Sequence, residues 1–218
     1  DYYSLLGIRR DATLEDIRQA YFNAARQLHP DKNIAPGETE LFIDVQEAYV
    51  AYVHEATGLG GRAGKWATYQ GIEVIEGPDN PTITRGFLFG LAEPFTHVGA
   101  VATYKAGAFD AALGAVNGWD LVTDNNTGKT ILGKATYGAE AWGVTGSFLT
   151  GPEQAGISGD YRQSYDVTGF VIVEGVKVNV QANYGNETIA DNRVHWVGGG
   201  VQPVVPVTDA FSVGARVE

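Results

Sequence analysis

The hydrophobic period of this chain changes once, near residue 50, and no single kind of secondary structure can satisfy both parts. Leu14, Ile17, Ala20, Tyr21, Ala24 and Leu28 recur at steps of three and four, which places them on one face of a helix. Leu41, Phe42, Val45, Ala48 and Tyr49 form a second stripe of the same kind. Between the stripes, Pro30 disfavours helical geometry at His29, and Pro36-Gly37 punctuates the connection. The pattern predicts two antiparallel helices, at about 13–28 and 38–53, with His29-Pro30-Asp31 exposed at the turn and a short helix starting at residues 5–6. Val50-Ala51-Tyr52-Val53 contains no breaker, so the last helix is expected to run on towards Gly58. A first strand over Tyr49–His54 is the alternative.

Beyond residue 55 the pattern has period two. Val98, Ala100, Ala102 and Tyr104 alternate with Gly99, Val101, Thr103 and Lys105. Strands are expected over 98–105, 109–116, 129–137, 140–149, 163–173, 176–185, 194–202 and 209–217. Ala106-Gly107, Glu174-Gly175 and Pro206-Val207-Thr208-Asp209 read as tight connections, whereas 123–128 and 150–160 read as longer polar loops. Short turns at one end, long loops at the other and strands of about ten residues are the pattern of an outer-membrane barrel. A soluble β-sandwich would show the same alternation. Composition shifts at the same place: of 29 glycines, Gly7 and Gly37 precede residue 56, and all four tryptophans (Trp66, Trp119, Trp142, Trp196) follow it. The expected organisation is therefore α + β in separate segments, a helical hairpin over 1–55 and an antiparallel up-and-down, barrel-like sheet of about ten strands over 56–218.

Bulk properties bound the function without choosing it. The 218 residues include no cysteine, so neither disulfides nor thiol chemistry enter, and no methionine, which suits a fragment or processed product. There is no run of 18 apolar residues to make a spanning helix, and no signal peptide is recognisable. The net charge of −11 disfavours nucleic acid as a partner. Asp120, Asp124, Asn125 and Asn126 lack the spacing of a calcium loop, and Gly128-Lys129-Thr130 lacks the preceding glycine of a phosphate loop. His54, His97 and His195 share no metal-ligand spacing, so neither metal nor cofactor is expected.

Residues 1–49 resemble the J-domain of the Hsp70 co-chaperones. Asp1-Tyr2-Tyr3-Ser4-Leu5-Leu6-Gly7 matches that family's first helix, His29-Pro30-Asp31 its loop, and Phe42-Ile43-Asp44-Val45-Gln46-Glu47-Ala48-Tyr49 its third helix. The resemblance implies that His29, Pro30 and Asp31, with Arg18 and Arg26 of the preceding helix, engage the Hsp70 ATPase domain and stimulate its hydrolysis. Gln19, Phe22, Asn23 and Gln27 stand where the family often carries Lys or Arg, and its last helix is missing, which weakens the expected docking.

From about residue 50 onwards the chain resembles OmpL-like outer-membrane porins, of the β-barrel porin-2 group. Gly64-Lys65-Trp66-Ala67-Thr68, Thr84-Arg85-Gly86-Phe87-Leu88-Phe89-Gly90, Glu93-Pro94-Phe95-Thr96-His97-Val98-Gly99 and Val116-Asn117-Gly118-Trp119-Asp120 carry the likeness. It implies passive diffusion of small solutes through a water-filled barrel set in a lipid bilayer or detergent, without catalysis. Arg62, Lys65, Glu73, Glu76 and Arg85 are the candidate pore-lining charges. The four tryptophans are candidates for an interfacial aromatic belt. Val98, Ala100, Ala102 and Tyr104 are expected to face lipid, and Gly99, Thr103 and Lys105 the lumen. The start of the porin pattern is missing, so the barrel is expected to be incomplete with two open edges.

The two parts imply conflicting compartments, cytoplasm for the first and outer membrane for the second. The reading is a composite chain, a J-domain joined to a porin-like barrel. The alternative is an Hsp70 co-chaperone whose β region is a soluble client-binding or anchoring module.

Overall fold

The computed structural model describes residues 49–218 apart from 76–79, 83, 191 and 209–210, together with Gly7, Arg9, Ala12, Asp16 and Ala20. Asp16 and Ala20 are helical, inside the first of the two main expected helices. The remainder of the helical hairpin, including Arg18, Arg26 and His29-Pro30-Asp31, lies outside the described residues.

From residue 49 the chain is a meander of ten strands: β1 (Tyr49–His54), β2 (Leu59–Ala67), β3 (Thr96–Ala106), β4 (Phe109–Val116), β5 (Thr130–Ala139), β6 (Trp142–Pro152), β7 (Tyr161–Val173), β8 (Val176–Ile189), β9 (Asn192–Thr208) and β10 (Phe211–Gly214). Each strand pairs antiparallel with the next in sequence, and β1 and β10 are the edges of an open sheet. A π-helical turn, Leu88–Ala92, is the one named helical element among the described residues of the sheet region.

Tyr49–His54 is a strand, not the end of a helix. Tyr49 pairs with Gly64 and His54 with Leu59, and the hairpin turns where Gly58 adopts φ +71°. The β-branched and aromatic residues Val50, Tyr52 and Val53 tolerate a helix but favour a pleated ladder, and β2 supplies one. The expected tight connection at 206–209 also moves: β9 continues through Pro206 to Thr208. Pro206 lies beyond Val204, the last residue of β9 paired with β8, so its missing N–H costs no bond on that side.

Connections alternate in length. At one end lie the turns at 55–58, 107–108, 140–141 and 174–175, and the end of β9 with the start of β10. Glu174 and Gly175 both have positive φ, 50° and 82°, as the tightest hairpin turn requires. The other end carries the long connections 68–95, 117–129 and 153–160, and the short turn between the extended strands β8 and β9.

Over β7 to β9 the two faces of the sheet differ in polarity in the sense opposite to a water-soluble domain, whereas over β2 to β6 the inner face carries an apolar cluster. Cross-strand partners share a face. On β7 and β8, Ser164, Asp166, Gln181 and Asn183 lie on the face covered by residues 68–95, with Asp166 1% and Asn183 2% exposed. The alternate residues Tyr165, Val167, Val180 and Tyr184 point the other way and are open, Val167 at 52% and Val197 of β9 at 80%. Leu113, Ile131, Tyr137, Trp142 and Val144 continue this bare apolar face across β4 to β6. On β3, Val98, Ala100, Ala102 and Tyr104 share that outer face, and Gly99, Thr103 and Lys105 the inner one, as the alternation predicts.

Along β7, from Val171 beside Trp142 to Tyr161, about 3.3 Å per residue gives a stretch about 33 Å long, enough for a tilted strand to cross the apolar band of about 25 Å on an outer-membrane barrel. Tyr104 with Phe109 (6.3 Å) and Tyr137 with Trp142 (5.8 Å) line its short-turn margin. Of the tryptophans, only Trp142 belongs to this belt. Trp66 is buried on the inner face with Val101, Ala112, Val116 and Leu132, and Trp196 points inward to meet Trp119 edge-on at 6.3 Å. Strand-end position alone does not fix which side of the pleat a tryptophan takes.

Candidate functional site

The connection between β2 and β3 folds back over the inner face instead of leaving the sheet. Gln70 accepts from Ser164 Oγ at 3.0 Å, Gly71 N–H donates to Asp166 Oδ1 at 3.1 Å, and Ile72 N–H to Gln181 Oε1 at 3.3 Å. These three contacts step across β7 and β8 and pin the start of the segment to the wall. Gly71 has φ +89°, and a Cβ there would collide with the Glu93 carboxylate, so glycine is needed both for the bend and for the close approach.

Glu73 anchors the middle. Its carboxylate accepts from Arg216 Nη1 at 2.6 Å, Gly86 N–H at 2.7 Å, Thr82 Oγ1 at 3.3 Å and Gln202 Nε2 at 3.4 Å. Arg216 also donates to the Thr84 carbonyl at 2.6 Å, and Glu218 accepts from Phe87 N–H at 2.6 Å. The residues after β10 therefore lie against the segment while Val217 bridges back to Val201 of β9. Further along, Leu88 of the π-helical turn sits on Gly198 and Gly200, which lack the side chains that would block it. Arg85 donates to the Ile75 carbonyl at 2.9 Å and lies over the Phe89 ring at 5.3 Å.

The end of the segment holds a second buried group. Gln181 Nε2 donates both to Glu93 Oε2 at 3.0 Å and to Asp166 Oδ2 at 2.8 Å, and Asn183 Nδ2 donates to Asp166 Oδ2 at 3.1 Å. Glu93 is 2% exposed and its Oε1 has no hydrogen-bond partner. Burial, then the charge of Asp166, push its carboxyl up to about 8. Two ion pairs also stand on the wall: Arg162 meets Glu187 at 2.8 Å and Lys134 meets Asp110 at 2.6 Å.

Open space remains beside the segment. A cavity of about 180 Å³ is lined by Thr136, Thr145, Thr168 and Phe170, and one of about 400 Å³ by Asn80, Pro81, Lys177 and Ser212; Ile72 and Asn179 border both. The tethered segment covers part of the inner face and leaves open space in which threonine and serine hydroxyls and asparagine amides stand beside Ile72, Phe170 and Lys177. Among the described residues no cluster of metal-ligating side chains occurs.

Of the sequence-predicted pore charges, Glu73 and Arg85 belong to the segment, and Arg62 stands on the inner face opposite Val101. Lys65 pairs with Val98, which sets it on the outer face at the rim, and Glu76 lies outside the described residues. Sequence reasoning missed Glu93, Asp166, Gln181, Asn183, Gln202 and Arg216. The signal for the strand members was present: Asn179, Gln181 and Asn183 alternate with Val178, Val180 and Ala182, marking a polar face of β8.

Comparison with known proteins finds relatives of two kinds. "Chaperone protein DnaJ" of Methanosarcina thermophila is 51% identical over 83 residues, 36% of this chain and 21% of that protein. "Chaperone protein DnaJ 2" of Thermus thermophilus is 51% identical over 49 residues, 22% of this chain and 18% of that protein. "Chaperone protein DnaJ" of Nostoc punctiforme is 33% identical over 103 residues, 43% of this chain and 28% of that protein. The chain thus spans less than a third of each of these relatives. No solved structure matches it. The sequence profile of the family described as "Putative beta-barrel porin-2, OmpL-like" matches residues 15–218, starting inside the segment that carries the J-domain motifs. With that match over most of its length and a sheet whose apolar side faces outward, the chain belongs to the OmpL-like β-barrel porin-2 family.

Proposed function

We propose that the β region forms a pore in an outer membrane and passes small hydrophilic solutes by passive diffusion, with the segment 68–95 as its constriction. The observation that carries this reading is the reversed polarity of β7 to β9 together with the bare apolar outer face that continues across β4 to β6. Tyr165, Val167, Val180, Tyr184 and Val197 are bare on one side, while Asp166, Gln181, Asn183 and Gln202 are buried on the other. In water the first side would drive aggregation, whereas in lipid it is the side that belongs outside. Every backbone group at membrane depth needs a partner, so conduction requires the edges β1 and β10 to be paired as well. Passage then needs no catalytic step and no cofactor. The segment with His29-Pro30-Asp31 is proposed, on the likeness to DnaJ proteins, to engage the ATPase domain of an Hsp70.

The competing reading keeps the Hsp70 partnership and makes the β region a soluble module that binds clients or anchors the chain. Planar-bilayer recording on the full chain, purified in detergent, separates the two. Stepwise conductance that persists across repeated reconstitutions is expected for the pore. A chain that stays monomeric and soluble without detergent and never conducts overturns it.

A further inference from the structure

The constriction is fastened to the wall at two places of different chemistry, and the difference bears on regulation. At Glu73 a carboxylate meets a cation, Arg216, at 2.6 Å. At Glu93, among the described residues, a carboxyl meets no cation. It shares one amide of Gln181 with Asp166, at 3.0 and 2.8 Å, and its second oxygen is buried without a partner. The charged groups that face Glu93 are Asp166 on β7, Glu73 on the same segment and Glu218 after β10, all acids. Arg216 is occupied by Glu73 and Glu218, Gln181 of β8 is neutral, and β9 contributes Gly198 and Gly200 to the seat of the neighbouring turn. Gly71, which donates to Asp166, lies against the Glu93 carboxyl, so the two ends of the segment and the wall converge on this point.

Resting on the pore reading, we infer that Glu93 is a proton-dependent latch: protonated, it holds the segment 68–95 on β7 and β8, and its ionisation beside Asp166 lets the segment lift and changes the bore of the constriction. Like charges in a dry site cannot both be carried without a compensating cation, so release of the segment into water relieves the ionised pair.

The sign follows from linkage. The carboxyl titrates near 8 in the docked state, against 4.5 for a free glutamic acid. The docked state therefore binds more protons than the released one between those values. Docking is tightest below about pH 4.5, weakens by up to about tenfold per pH unit above it, and levels off beyond about 8.

The test uses the full chain in detergent micelles and in planar bilayers, with Glu93→Gln as the neutral isostere. Tryptic cleavage after Arg85, within the segment, reports release directly. From pH 6.5 to 8 the ratio of wild-type to Glu93→Gln cleavage is expected to rise about tenfold per pH unit, and the single-channel conductance of the wild type, not of the variant, to shift over the same range. Asp166→Asn, which removes the neighbouring charge, is expected to narrow the window from its upper end and serves as the second variant if Glu93→Gln does not fold. Identical pH profiles for wild type and both variants overturn the latch. A pH-dependent cleavage ratio in a chain that never conducts leaves the latch standing and overturns the pore.

Discussion

Ala102 and Thr103 are neighbours on β3 that lie on opposite faces of the sheet, and the proposed pore puts them in different solvents. Ala102 pairs with Leu113 and Gly61 on the outer face, and Thr103 with Ala112 and Gly60 on the inner one. An arginine on the outer face must place its charge in hydrocarbon, at a cost of about 2–4 kcal/mol near mid-membrane, whereas an inner arginine stays in water. Ala102→Arg is expected to reduce the fraction of chain that inserts into liposomes by about 30-fold or more, and Thr103→Arg to leave it within a few-fold of wild type. Flotation of liposomes on a density gradient measures both. Equal insertion by the two variants would show that the faces do not differ in solvent.

At the scale of elements, the π-helical turn Leu88–Ala92 is the piece that makes a loop into a constriction. Leu88 fills the groove over Gly198 and Gly200, and Phe89 stacks on Phe95 at 4.9 Å. Leu88→Ala removes buried apolar contact and leaves a void, which costs about 2–3 kcal/mol. The expected result is faster tryptic cleavage after Arg85 at every pH, with the sheet intact by circular dichroism. None of this packing could be read from the sequence. Residues 68–95 show no period, and their partners lie far along the chain: Gly71 finds Asp166 and Phe87 finds Glu218. The strands, by contrast, were legible because alternation is a local signal, and β3 to β8 fall where it places them. β1 was misjudged for a local reason as well, since Val50-Ala51-Tyr52-Val53 follows a helical stripe without any breaker and only its partner strand decides.

For the whole molecule, the reading that found the strands did not single out Asp166, Gln181 and Asn183 of the wall, because a polar residue on a strand looks like an ordinary solvent-facing position until the sheet's polarity is known. The N-terminal motif His29-Pro30-Asp31 lies outside the described residues, and its proposed consequence lies in a partner. His29→Gln is expected to abolish stimulation of an Hsp70 ATPase by the full chain while leaving its circular dichroism unchanged, measured as phosphate release over a titration of the chain. Undiminished stimulation by the variant would remove the co-chaperone part of the proposal. The sheet itself carries a further consequence. Each of its ladders joins strands adjacent in sequence, from β1–β2 to β9–β10. A cut between two strands therefore breaks one ladder and leaves the others whole, unlike a cut through a Greek key. Such a sheet can lengthen or shorten by hairpins over evolutionary time, and it can accept a foreign segment at Tyr49 without disturbing the pairing of any strand beyond it.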